Sequence, residues 1–201
     1  MVFVAKYLFL TFLFGWVDST EFSKTNEMWI IKSSSSLEVD GSTNINNFSC
    51  KINSYKQTDT LYFSTKENEH KNVKVDGKLR INVSDFDCQH RIMTKDLQKT
   101  LQSEKHPQMI VKFINFAEMP TTIQSRSITT GDVEIELAGV KKSFLVQYSI
   151  NKLNKNNIEL LGFRKVNFSD FNLKPPSKLG GAIKVKNELL VEFKLQLQKY
   201  E

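Results

Sequence analysis

Cysteine and histidine are scarce in this chain of 201 residues, which has two cysteines and three histidines. His70, His90 and His106 are far apart, and none belongs to an H-x-H or H-E-x-x-H spacing of the kind that holds zinc. Catalytic patterns are missing as well, because no serine lies in a G-x-S-x-G turn and Gly180-Gly181 opens no phosphate-binding helix. The sequence therefore predicts no catalytic residues, no metal site and no cofactor, and hence a protein that is not an enzyme.

Clusters of like charge are also missing. The chain has 28 lysines and arginines and 22 aspartates and glutamates, a formal net charge of +6 at pH 7, and the lysines are dispersed along it. Dispersed positive charge favours solubility and leaves open a weak attraction to anionic membrane surfaces. No nucleic-acid-binding motif accompanies the charge, so we expect neither DNA nor RNA as a partner.

A hydrophobic run long enough to cross a membrane is missing at the N-terminus. Residues 7–17 are apolar but number only eleven, and as a helix they would span about 17 Å of a bilayer core of roughly 30 Å. Lys6 precedes this run, and Val17-Asp18-Ser19 stands at its end, which is the pattern of a secretory signal peptide cut after Ser19. We expect residues 1–19 to be a signal peptide, residues 20–27 a short tether, and the protein to be periplasmic or secreted. An uncleaved anchor is the alternative.

Apolar residues at every second position dominate the chain from residue 28 onwards. Residues 73–83 alternate along their whole length, and shorter runs follow at 131–137, 144–150 and 189–198. Such alternation is typical of strands with one face in a core, and Gly77 within the first run predicts a bend or bulge. Strands do not alternate with helices, so the pattern predicts an antiparallel barrel or sandwich.

One helical pattern interrupts the strands. Met93, Leu97 and Leu101 recur at i, i+4 and i+8, which predicts a short amphipathic helix over residues 93–101. A charged turn, Pro107 and a new apolar strand at residues 109–116 follow it. We expect the helix to cover one face of that strand.

The two cysteines, Cys50 and Cys88, each follow a strand-like run. In a secreted chain an even number of cysteines favours a disulfide, and no third cysteine competes for either partner. We therefore expect a Cys50–Cys88 disulfide, with two buried free thiols as the alternative.

The segment around the predicted helix contains Asp96-Leu97, Lys105-His106-Pro107 and Val111-Lys112-Phe113. With these residues it resembles the YceI-like family of secreted lipid-binding proteins. That family has an aspartate-containing turn after a long strand, then a helix, one or two basic residues, an H-P or Y-P step and a strand of the form I-x-F. Further resemblance lies in G-S-T-N-I-N-N-F-S-C at 41–50, and in the turns A-G-V-K-K at 138–142 and N-F-S-D-F-N-L at 167–173. In the last turn Asn172 replaces the family's glycine, and the resemblance covers residues 28–200.

The resemblance implies an all-β fold over residues 28–201: an antiparallel eight-stranded lipocalin-like barrel with one short helix inserted between strands. It also implies a binding protein that encloses a long-chain apolar or amphiphilic ligand, of isoprenoid or fatty-acyl type, in the barrel cavity. Alternation alone does not distinguish a hollow barrel from one filled by its own side chains. An envelope stress or protein-interaction module with a filled barrel therefore stays the alternative, and the oligomeric state, a homodimer included, is left open.

Residues with inward parity on four of the predicted strands are the candidates for lining such a cavity. They are Leu79, Ile81, Val133, Ile135, Val146, Tyr148, Phe193 and Leu195.

Overall fold

The computed structural model of the protein describes residues 24–66, 71–119 and 126–200. The predicted signal peptide, the first half of the predicted tether and His70 lie outside these ranges. No helix within them is long and apolar enough to cross a membrane. In this part of the chain there are eleven strands and one α-helix, which are β1 (Lys24–Ile31), β2 (Ser36–Thr43), β3 (Asn47–Ile52), β4 (Thr60–Lys66), β5 (Lys71–Asn82), α1 (Arg91–Thr100), β6 (Gln108–Glu118), β7 (Arg126–Leu137), β8 (Val140–Lys152), β9 (Asn157–Asn167), β10 (Ser177–Lys178) and β11 (Ile183–Lys199).

Eight of these strands close an antiparallel barrel, in the order β1-β4-β5-β6-β7-β8-β9-β11, and β11 returns to β1. At 17 residues β11 is long enough to have two partners along one edge. Its last residues pair with β1, and its first half pairs with β2. The hairpin β2–β3 therefore extends the wall past the barrel. The predicted eight-stranded antiparallel barrel with one inserted helix is confirmed.

Alternate residues of the barrel strands face a common core, as the period-two pattern predicted. On β8 the inward residues Phe144, Val146, Tyr148 and Ile150 are all buried, and on the opposite face Leu145 is 56% exposed. This alternation follows from strand geometry, because successive side chains point to opposite faces of a sheet.

Three predicted backbone features are present. Ala138 and Gly139 form the two-residue loop between β7 and β8, with φ of 50° and 78°, the positive angles that a tight hairpin requires. Asn172 has a φ of 56°, a left-handed conformation that asparagine tolerates better than most residues. At Gly77 the pairing of β5 with β6 shifts register after Lys74, so the predicted bulge is confirmed.

Element boundaries differ from the sequence predictions at several elements, among them β1, α1 and β11. β1 begins at Lys24, so residues 24–27 of the predicted tether are strand, paired with β4. These residues are polar, so they have no apolar alternation that would predict a strand, whereas backbone pairing does not require an apolar face. α1 begins two residues early, at Arg91, since the carbonyl of His90 already accepts a bond of 2.9 Å from Thr94. β11 begins at Ile183 instead of residue 189, and its first residues pair with β10 and β2.

One end of the barrel is filled with aromatic rings, which we name the aromatic cluster. Its members are Phe63, Phe113, Phe116, Tyr148 and Phe193, and ring centroids of neighbouring members lie 4.6–6.2 Å apart. Offset and edge-to-face rings at such distances pack favourably. The sequence pattern could not indicate this filling, because strand parity gives the face of a residue but not its depth in the barrel.

A disulfide between Cys50 and Cys88 joins β3 to the segment before α1. Two backbone hydrogen bonds link the same segments, from the Lys51 N–H to the Asp87 carbonyl at 2.8 Å and from the Asp87 N–H to the Lys51 carbonyl at 2.9 Å. Together these links hold the hairpin β2–β3 beside the start of α1.

Candidate ligand-binding cavity

Beside the aromatic cluster, with Phe193 as a shared residue, the barrel contains an apolar space of about 70 Å³, which we name the interior cavity. Leu97 from α1 and Leu101, directly after the helix, cover it, so the amphipathic helix predicted from the sequence directs its apolar face into the barrel. Side chains from β2, β6, β7, β8, β9 and β11 form its walls. The lining residues are Leu37, Val39, Phe86, Leu97, Leu101, Met109, Val111, Val133, Ile135, Leu137, Val146, Arg164, Val166, Phe171, Leu189, Val191 and Phe193.

A larger apolar space of about 280 Å³, the groove cavity, lies outside the barrel between the hairpin β2–β3, α1 and the start of β11. Three residues, Val39, Leu97 and Leu189, line both cavities and so form the partition between them. Taken together, the two volumes are at the lower end of the roughly 300–1,000 Å³ of small-molecule sites. The residues that line the groove cavity are Val39, Thr43, Ile45, Asn46, Phe48, Cys50, His90, Ile92, Met93, Asp96, Leu97, Phe168, Pro176, Lys178, Ile183, Val185 and Leu189.

The mouth of the groove cavity has exposed apolar side chains on both sides. Ile45 at the tip of the hairpin β2–β3 is 67% exposed, and Ile92 on the first turn of α1 is 60% exposed. Between them an ion pair joins the helix to β10, with 2.7 Å from Lys178 Nζ to Asp96 Oδ2. Asn44 fixes the hairpin tip by donating from its backbone N–H to the Lys184 carbonyl at 3.1 Å. An apolar cavity with exposed isoleucines at its opening is suited to admit a hydrocarbon tail.

Half of the predicted lining residues border a cavity and half do not. Val133, Ile135, Val146 and Phe193 line the interior cavity. The other four, Leu79, Ile81, Tyr148 and Leu195, are buried in the core and line neither of the two cavities.

The groove cavity and the helical roof of the interior cavity were missed by the sequence reasoning. The apolar helix face, with Met93 and Leu97 in contact with the groove cavity, was the signal that could have indicated them. No such signal indicated that β2 lines both cavities, because its position depends on its pairing with β11, which is far away in the sequence.

The barrel wall is divided between β8 and β9. Residues 147–152 of β8 pair with residues 158–163 of β9. Residues 140–146 and 164–167 are therefore not paired with each other. We name this gap the seam. The turn Phe168–Phe171 packs into it, with the Phe171 ring 6.0 Å from that of Phe144.

An ion pair fastens that turn to β8, with 2.8 Å from Lys142 Nζ to Asp170 Oδ1. The hydrogen bond from Lys142 and a second one from the Asn167 backbone N–H lower the pKa of Asp170 below its usual value. The ion pair therefore holds the turn against β8 beside the seam.

Arg164 lies at the point where the seam begins. It has inward parity on β9 and lines the interior cavity, yet its side chain is exposed. The guanidinium carbon lies 5.4 Å from the centroid of the Phe144 ring, and Nη1 donates to the Leu145 carbonyl at 3.3 Å. Among the described residues that line the interior cavity, Arg164 alone is charged.

Within residues 24–66, 71–119 and 126–200, no group of three or more histidine, cysteine, aspartate or glutamate side chains is arranged to hold a metal ion. The chemistry of the site is therefore that of apolar contact, with a guanidinium at one border of the interior cavity and an ion pair at the mouth of the groove.

A closed eight-stranded antiparallel barrel with one short inserted helix is a lipocalin-like fold. Among solved structures, the chain is similar to a polyisoprenoid binding domain from Saccharophagus degradans implicated in plant cell wall breakdown. The TM-score is 0.60 at 10% identity, over 85% of this chain and 97% of that one.

Two further solved structures have the same fold. BcnA of Burkholderia cenocepacia matches with a TM-score of 0.58 at 14% identity, over 81% of this chain and 95% of that one. A mutant YceI protein of Campylobacter jejuni matches with a TM-score of 0.50 at 11% identity, over 100% of this chain and 93% of that one. No family model and no curated protein matches the sequence. At these identities the likeness is one of fold, and the YceI-like fold implied by the sequence resemblance is confirmed.

Proposed function

We propose that the protein is a non-enzymatic binding protein that encloses the tail of a long-chain apolar or amphiphilic ligand, of isoprenoid or fatty-acyl type. The observation that carries the proposal is the pair of apolar cavities that share the wall residues Val39, Leu97 and Leu189. A shift of these side chains would join the two cavities into one channel beneath α1. Each Å² of apolar ligand surface buried there contributes about 25 cal/mol before the costs of association.

The neighbours in fold support this proposal, because one of them is described as a polyisoprenoid binding domain. The alternative of a filled barrel describes the part of the core that the aromatic cluster occupies. Beside it, the two apolar cavities offer space for a ligand, and this favours the binding function.

We propose a periplasmic or secreted location. The Cys50–Cys88 disulfide supports it, since disulfides persist in oxidising compartments. The signal pattern in residues 1–19 is the second support.

Native mass spectrometry tests the binding function directly. The purified protein is delipidated, incubated with a total lipid extract and separated from unbound lipid. We expect one mass adduct of a long-chain lipid per protein molecule, released by organic solvent. A spectrum without adduct, from protein whose circular dichroism shows a folded barrel, would contradict the proposal.

We also propose that ligand is loaded at an anionic membrane surface. Ile45 and Ile92 project at the groove mouth, and Lys184 and Lys186 are exposed on the adjoining start of β11. Apolar side chains surrounded by lysines are suited to the headgroup region of anionic lipids, where each basic residue contributes about 1 kcal/mol.

A double substitution, Lys184→Glu with Lys186→Glu, is expected to slow the transfer of a fluorescent fatty acid from anionic vesicles about tenfold or more. Transfer from neutral vesicles should change little, because only the electrostatic attraction is altered. The matched control is Lys74→Glu with Lys78→Glu on the exposed face of β5, away from the mouth. Equal slowing by both pairs would show that the mouth has no special part in membrane contact.

A further inference from the structure

The guanidinium of Arg164 has more hydrogen-bonding capacity than the surrounding protein uses. An arginine presents five N–H donors. In the described part of the chain, one of them is used, in the bond of 3.3 Å to the Leu145 carbonyl. The remaining donors are at an exposed position beside the seam, where a ligand group could accept them.

The positive charge of Arg164 is also not neutralised by the described residues. None of their carboxylates forms an ion pair with it. Neighbouring acidic residues have other partners, because Glu159 pairs with Lys194, Asp170 pairs with Lys142 and Glu188 pairs with Lys165. Arg164 is therefore left without an ion-pair partner among the described residues.

The position of Arg164 links this charge to the interior cavity. The side chain lines the cavity while the guanidinium lies over the Phe144 ring, in the gap between two strands. A hydrocarbon tail lying in the interior cavity would therefore reach the guanidinium where its polar end meets the seam. The planar fork of an arginine matches the two oxygens of a carboxylate or of a phosphate, and stacking on an aromatic ring holds its orientation.

We propose that Arg164 binds the anionic head, a carboxylate or a phosphate monoester, of an amphiphile whose tail lies in the interior cavity. The ligand class of the site is then an anionic single-tailed amphiphile, such as a free fatty acid or an isoprenoid phosphate, and not a neutral hydrocarbon. The inference rests on the proposed binding function and assigns the end of the ligand that the apolar cavities leave unassigned.

The alternative is a purely structural role, in which Arg164 joins the two sides of the seam through its contacts with Leu145 and Phe144. That role predicts no preference among ligands with the same tail. A head-group role predicts a preference for the anion, which disappears with the guanidinium. Selectivity between ligands therefore separates the two roles, whereas stability alone does not.

The experiment measures the dissociation constants of three ligands with the same sixteen-carbon tail, which end in a carboxylate, a phosphate monoester or an alcohol. For the unaltered protein, we expect both anions to bind about tenfold or more tightly than the alcohol, the contribution of one charge-assisted hydrogen bond. Arg164→Leu should bind all three with the affinity of the alcohol, and Arg164→Lys should keep part of the preference. Lys165→Leu, the next residue on the outer face of β9, is the matched control and should keep all of it.

The outcomes separate this inference from the proposed function. Binding of none of the three ligands by the folded protein would contradict the binding function itself. Equal binding of anions and alcohol by the unaltered protein, or an unchanged preference in Arg164→Leu, would overturn the role of Arg164 and leave the binding function standing. If Arg164→Leu does not fold, Arg164→Lys and the comparison of ligands on the unaltered protein decide the matter: equal affinities there also overturn the inference.

Discussion

Replacement of Ile135 or Val146 by tryptophan is expected to remove most of the affinity for a hydrocarbon tail while the barrel remains folded. Both side chains line the interior cavity, on β7 and β8 respectively. An indole in this small space excludes the tail, and each methylene group kept out costs about 0.8 kcal/mol of binding free energy. Exclusion of three or four methylene groups weakens binding about 100-fold. Overpacking reduces the free energy of unfolding by about 1–3 kcal/mol, which a folded barrel can tolerate.

The measurement is the dissociation constant of a fluorescent fatty-acyl or polyprenyl probe, with circular dichroism as the check on folding. Matched controls are Ile128→Trp and Gln147→Trp, on the outer faces of the same two strands, where the native side chains are exposed. These controls should bind the probe as the unaltered protein does. Unchanged binding in folded Ile135→Trp and Val146→Trp proteins would mean that neither residue borders the site.

Loss of the Cys50–Cys88 disulfide is expected to cause the largest change in stability. The bond spans a sequence separation of 38 residues, for which the chain-entropy model gives about 4 kcal/mol of stabilisation as an upper value. A typical domain has a total of about 5–15 kcal/mol, so the barrel should survive but melt about 10 °C lower. Cys50 also lines the groove cavity, so the outer wall of that cavity is expected to loosen first.

The test compares Cys50→Ala with Cys88→Ala, made together, against the unaltered protein before and after reduction. Reduced protein and double variant should have the same lowered melting temperature. Intact mass after alkylation without a reductant then reports the thiols of protein secreted by its native route. No alkyl adduct is expected, and two adducts per molecule would contradict the disulfide.

The barrel itself could be predicted because the patterns that indicate it lie within single strands and turns. Period-two alternation on strands such as β5 and β8 indicates one dry face, and the absence of interleaved helices indicates antiparallel order. One or two residues were likewise enough to predict the turn at Ala138 and Gly139 and the bulge at Gly77.

The candidate site could be predicted only in part, because its position depends on depth and on long-range pairing. Val146 and Tyr148 have the same parity on the same strand, but Val146 lines the cavity and Tyr148 belongs to the aromatic cluster. Nothing in alternation distinguishes them. The role of β2 depends on its pairing with β11, about 150 residues away, and the exposure of Arg164 depends on where the pairing of β8 with β9 ends.

The central claim is that a hydrocarbon tail lies inside the protein, and the most direct measurement locates the end of a bound tail. A sixteen-carbon fatty acid with a photoreactive diazirine at its terminal carbon is bound, irradiated, and mapped by peptide mass spectrometry. The account predicts adducts on residues that line the two cavities, such as Val39, Leu97 and Leu189 in their shared partition. Adducts confined to exposed apolar side chains of the outer surface, such as Ile128 and Leu145, would contradict it.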